Sequence, residues 1–141
     1  MTSFVITIAN HTDLPFDGEV DVRACVERAL TGEGITEADV DVSFIADDVM
    51  QEANRTYLQH DYTTDVLTFP YDDGGEGIEG EILISLAVAQ QQANEYGVTL
   101  TNEVCRLAVH GVLHLCGYND STDEERLAMQ QREDRYIGVP A

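Results

Sequence analysis

The run from His110 to Asp120, HGVLHLCGYND, constrains this chain more tightly than any other stretch. His110 and His114 stand four residues apart in a segment that reads as helix, so both imidazoles leave one face about one turn apart. Gly117 follows where a helix commonly closes in a left-handed turn that glycine adopts cheaply. The chain then bends back and brings Asp120 toward the helical pair. Two neutral imidazoles and one carboxylate, with a coordination position left open, form the pattern of a catalytic rather than a structural zinc site. The plain alternative is a pair of core histidines. The run Val104, Leu107, Ala108, Val112, Leu113 and Leu115 predicts a buried helix, and two buried imidazoles without a shared partner would meet a desolvation penalty. Metal binding is therefore the expectation, with His110, His114 and Asp120 as ligands.

The same spacing matches the H-E-x-x-H-x-x-G-x-x-H/D run of extended zinc metalloproteases, with one departure. The glutamate that acts there as general base falls at Gly111, so the usual water activation of a peptidase is missing. A protease-like metal helix without the protease base is what the residues describe.

Residues 110 to 120 also resemble H-G-x-L-H-L-x-G-Y-D-H, the signature of the YbeY-type endoribonucleases, and match it except at the last two places. A second segment agrees: Asn54-Arg55-Thr56-Tyr57, then Asp61, then Thr64 to Pro70, is similar to L-N-x-x-Y-R-x-x-D-x-P-T-D-V-L-S-F-P. A third, Gly80 to Ser85, is like the family's G-D-I-x-I-S strand. The three occur in the family's order, and the resemblance spans about residues 40 to 137. It implies an αβα sandwich, a cleft with a metal at one end, and action on ribosomal RNA precursors. It also implies that Thr64 and Asp65, at the start of a strand, border the cleft; capping of the strand edge is the other reading of them.

The departures alter the site's chemistry. The family's third histidine is Asp120 here, which brings negative charge and a harder donor. The family's arginine after the tyrosine is Leu58, and the nearest basic residue is His60, charged fully only at acid pH. Arg106, one turn before His110 on the same helical face, is the candidate to supply the missing positive charge, with pairing to acids such as Glu103 as the alternative.

Charge adds a second constraint. The chain has 27 acidic residues against 7 basic ones, for a net charge of −20, and every basic residue is arginine. Nucleic-acid enzymes ordinarily carry a basic footprint, because phosphate contacts supply much of their affinity. Three accounts fit: a halophile's acidic surface, with repulsion screened within about 3 Å at 1 M salt; a basic partner such as a ribosomal protein; or no RNA binding. Lysine depletion with dispersed acids favours the first. With 141 residues and 43% hydrophobic content, one domain spanning 1–141 is expected. No apolar run approaches the roughly 20 residues of a membrane span. The N-terminus lacks a basic segment before its apolar alternation, so no signal peptide is expected and a cytoplasmic location is. Cys25, Cys105 and Cys116 lack CxxC spacing and are expected to be reduced, buried residues.

Periodicity predicts strands at 4–9, 40–46, 65–71 and 81–85 and helices at 17–30, 47–58, 86–96, 102–116 and 122–136. Asp17 is the expected cap of the first helix. Residues 72–80 read as an acidic, glycine-rich connection. The order predicts an α+β fold, a small mixed four-stranded sheet layered with helices, αβα and metalloprotease-like. The functional expectation is a zinc-dependent endoribonuclease specific for single strands and acting in rRNA maturation, with manganese as a competing metal and neither DNA nor membrane as partner. The alternatives are a metallohydrolase of a peptide or small molecule, and a non-catalytic, metal-stabilised ribosome-assembly factor.

Overall fold

The computed structural model describes residues 2–58, 65–71 and 77–137, without the side chains of 54 and 56–58. Four strands, β1 (Ser3–Asn10), β2 (Glu37–Ile45), β3 (Val66–Pro70) and β4 (Ile78–Ser85), form one sheet in the order β1-β2-β4-β3. β1 runs parallel to β2 and β2 parallel to β4, while β3 pairs antiparallel with β4. The mixed four-stranded sheet is the expected one, and strands three and four are neighbours.

Alternation explains how the sheet is covered. In β2, Ala38, Val40, Val42 and Phe44 are buried while Glu37, Asp39 and Asp41 face outward. The inward set packs with Val26 and Leu30 of α1 (Glu19–Gly32) and with Val109 and Val112 of α4 (Leu100–Leu115) in the main core. A smaller core of Ile45, Met50 and Leu67 joins the sheet to α2 (Asp47–Leu58). Burial of this kind supplies about 25 cal/mol per Å² of apolar surface removed from water. α3 (Leu86–Tyr96) and α5 (Asp123–Ile137) pack against α4 and complete the fold.

α1 begins two residues later than expected. Its cap is Gly18, without a side-chain bond, rather than Asp17. The added Cβ of any other residue at Gly18 would meet Thr101 within 2.6 Å, so packing against the start of α4 decides that position. At the start of α5, Thr122 and Glu125 form a reciprocal capping box: the Glu125 N–H donates to Thr122 Oγ1 and the Thr122 N–H to Glu125 Oε1. Glu125 thus acts through a specific bond as well as through dipole complementation. Cys25 and Cys105 are buried free thiols, and Cys116 is only half-buried.

Candidate metal centre

α4 presents the two histidines, and its ending delivers the third donor. The Gly117 N–H donates to the His114 carbonyl and the Tyr118 N–H to the Leu113 carbonyl, each at 3.0 Å. With Gly117 at φ 103° this is a Schellman closure, and it reverses the chain. Asp120 is then held near the helix by Arg126, whose guanidinium donates to the Asp120 carbonyl at 3.2 Å. His110 Nε2 and His114 Nε2 lie 3.0 Å apart, and Asp120 Oδ2 lies 3.3 and 3.5 Å from them. Metal bonds of about 2.0–2.1 Å at tetrahedral angles separate their ligand atoms by about 3.3 Å. The three atoms therefore have the dimensions of one face of a tetrahedron.

The outer nitrogens sharpen the case. His114 Nδ1 faces the Tyr118 carbonyl at 2.9 Å, and a carbonyl only accepts, so this nitrogen carries the proton. His110 Nδ1 donates in the same way to Glu133 Oε2 at 2.7 Å. In neutral imidazoles both Nε2 lone pairs then point into the space shared with the Asp120 carboxylate. Three electron-rich atoms at these distances repel one another unless a cation lies between them. His110, His114 and Asp120 thus form a group suited to a metal ion.

Glu133 was not legible as a site residue, although a signal existed. Met129, Glu133 and Tyr136 are the buried residues of α5, so an acid occupies its apolar stripe. Burial lowers the basicity of His110, but the bond and charge of Glu133, with Asp120 and Asp65, outweigh it and raise the pKa. A carboxylate behind a ligating histidine fixes its tautomer and strengthens it as a donor. Behind His114 the support is longer. Tyr118, whose carbonyl takes the His114 proton, donates its hydroxyl to Glu33 Oε1 at 2.6 Å, and Arg132 and Tyr136 donate to Glu33 Oε2. Burial opposes charge on Glu33, yet these partners hold its pKa below the usual value.

The other expected residues fall as follows. Arg106 is not free to hold a phosphate. It donates to Glu133 Oε1 at 3.2 Å and to Asp134 Oδ1 at 2.7 Å, so its acids come from α5 rather than from Glu103. Asp65 borders two cavities that His110 and Asp120 also line, one of about 520 Å³ toward α5 and one of about 360 Å³ along β3. It accepts a bond from Gln92 at 3.2 Å. Thr64 and His60 lie outside the described residues, as does the side chain of Leu58. The place of the protease base has a structural explanation: a Cβ at Gly111 would lie 2.8 Å from two side-chain atoms of Ile82 on β4. Position 111 packs against the sheet.

Comparison with known proteins places these features in a family. The family model described as Endoribonuclease YbeY matches residues 7–138. A relative from Chlorobaculum tepidum named Endoribonuclease YbeY is 41% identical over 132 residues, 94% of this chain and 95% of its own. One from Chlorobaculum parvum with the same name is 37% identical over 132 residues, covering 94% and 92%. The solution structure of a Thermotoga maritima protein is similar at 26% identity with a TM-score of 0.66, over 94% of this chain and 87% of that one. Matched by this family model over most of its length and by relatives 37% and 41% identical, the chain belongs to the YbeY endoribonuclease family.

Proposed function

We propose that this protein is a zinc-dependent endoribonuclease that cuts single-stranded RNA during rRNA maturation in the cytoplasm. The observation that carries the reading is the tetrahedral spacing of His110, His114 and Asp120, joined to membership of the family. Zinc bound there would supply Lewis acidity at the scissile phosphate. Glu133 and the Tyr118 carbonyl hold the two imidazoles in their donating tautomer. Arg106 holds Glu133 in turn and is a positioning residue. Asp65, which borders both cavities beside His110 and Asp120, is assigned to the cleft wall. The carboxylate ligand makes manganese a competitor to zinc. RNA is the substrate, and the acid surface suits a basic ribosomal protein as a further partner; neither DNA nor membrane is assigned.

The test is incubation of zinc-loaded protein with single-stranded RNA and, separately, with casein. RNA cleavage that is lost with a chelator and restored by zinc, with casein intact, is the expected outcome. Cleavage of casein, or of neither, refutes the proposal.

A further inference from the structure

Glu33 closes α1, yet α1 itself gives no reason for an acid there. A negative charge at the C-terminal end of a helix meets the negative end of its dipole, and α1 has no basic residue in its last turn to offset it. The side chain is only 7% exposed, and a carboxylate is buried at a cost unless it is paired. Its partners all come from beyond the metal helix α4. The Tyr118 hydroxyl donates to Oε1 at 2.6 Å, Arg132 donates to Oε2 at 3.0 Å, and the Tyr136 hydroxyl donates to the same Oε2. Gly32 makes room for this junction, because a Cβ there would lie 2.7 Å from the Tyr136 hydroxyl oxygen. Two consecutive positions at the end of α1 thus serve a contact with segments that follow α4.

That contact holds Tyr118. Glu33 fixes its hydroxyl, and the Arg132 guanidinium lies 4.4 Å from the centre of its ring. Arg132 is itself paired with Glu33, so both restraints on the ring run through one carboxylate. Tyr118 follows Gly117, whose φ of 103° turns the chain back, and stands two residues before Asp120. Its carbonyl accepts the proton of His114 Nδ1 at 2.9 Å. A neutral imidazole carries one proton. With that proton on Nδ1 the Nε2 lone pair is free to donate; with the acceptor displaced, the proton can move to Nε2 and block donation. The orientation of Tyr118 therefore bears on the tautomer of one ligand and on the approach of another. His110 is supported separately, by Glu133.

We infer that Glu33 is a positioning residue for the metal centre: acting through Tyr118 from the end of α1, it holds His114 in its donating tautomer and Asp120 in place. The inference rests on the metal-binding part of the proposed function and adds to that centre a residue from outside the α4–α5 segment.

Heteronuclear NMR of the imidazole nitrogens, on metal-free protein at alkaline pH, reads the tautomers directly, and chelator competition reads zinc affinity. Tyr118→Phe removes only the hydroxyl, and Glu33→Ala removes the carboxylate. Each should move His114 from the Nδ1–H form to a mixture of tautomers, leave His110 in its Nδ1–H form, and weaken zinc binding on the order of tenfold. The double variant should lose about as much affinity as Glu33→Ala alone, because the two residues act through one bond. Val26→Ala opens a cavity on the buried face of the same helix; it should lower the unfolding midpoint and leave zinc affinity and the His114 spectrum unchanged. A Tyr118→Phe protein that keeps the wild-type tautomer or the wild-type zinc affinity overturns the inference. So does a Val26→Ala protein that loses zinc affinity to the extent that Glu33→Ala does, since lost stability would then explain both. Should Glu33→Ala fail to fold, Tyr118→Phe, which leaves the carboxylate its other two donors, decides alone. A wild-type protein that binds no zinc sinks the metal reading, while the metal-free spectra still decide whether Glu33 governs the His114 tautomer.

Discussion

Gly111→Ala separates local propensity from packing, because the two predict opposite signs. In an exposed helix interior this change gains about 1 kcal/mol. Here the new Cβ would stand 2.8 Å from Cδ1 and Cγ2 of Ile82 and 2.9 Å from its Cγ1. Ile82 is completely buried, and two of these atoms sit at its branch point, so rotation cannot clear the contact. Overpacking of a filled core costs about 1–3 kcal/mol. Three simultaneous contacts put this case high in that range, for a net loss of about 1–2 kcal/mol. Urea unfolding of metal-free protein measures it. Ile82→Val deletes the Cδ1 atom, so adding Gly111→Ala to that background should cost less, with a coupling of at least about 0.5 kcal/mol. A Gly111→Ala protein more stable than wild type would refute the steric account and leave position 111 governed by propensity alone.

Asp120→Ala should greatly lower the metal content measured by mass spectrometry, while Asp123→Ala, outside the ligand group, should leave it unchanged. Glu133→Gln should weaken metal affinity about 10- to 100-fold in chelator competition, since the amide orients His110 without lending it charge. Because burial raises the Glu103 pKa from 4.5 to about 7, the folded chain keeps a proton there that the unfolded chain loses. Stability should therefore fall as pH rises between about 4.5 and 7, by about 3 kcal/mol from this group, and stay lower above that window. The difference between metal-free wild type and Glu103→Gln in denaturant midpoint against pH reads it, and a pH-independent difference would contradict the burial. The unfolding midpoint should rise from low to molar KCl if the acid surface is adapted to salt; a flat response would favour a basic protein partner.

The parts of the fold legible in the sequence are those governed by local periodicity. β2 alternates residue by residue, α3 ends at Gly97 where expected, and His110, His114, Gly117 and Asp120 lie close enough in sequence for helix geometry to bring them together. What stayed hidden depends on contacts between distant elements. Glu133 and Glu33 look like surface acids until α5 is docked on α4 and α1. Arg106 could be paired by spacing only with its own helix, whereas its partners Glu133 and Asp134 come from the next one. The cap of α1 moved because Gly18 answers to Thr101, a neighbour that no local pattern contains.

His110, His114, Asp120 and Glu133 belong to one helix, one turn and the following helix, whereas Asp65 comes from the edge of the sheet. Closing the short loop between α4 and α5 costs little chain entropy compared with pairing β3 onto β4. Capture of a metal ion by these residues would thus be a local event, available to a nascent or partly unfolded chain before its sheet is complete. The bound ion would favour the α4–α5 hairpin by mass action during folding, since it prefers the state in which its ligands converge. Metal stoichiometry would then report chiefly on this hairpin, and a preparation binding one ion per chain could still contain molecules in which β3 is not yet paired to β4.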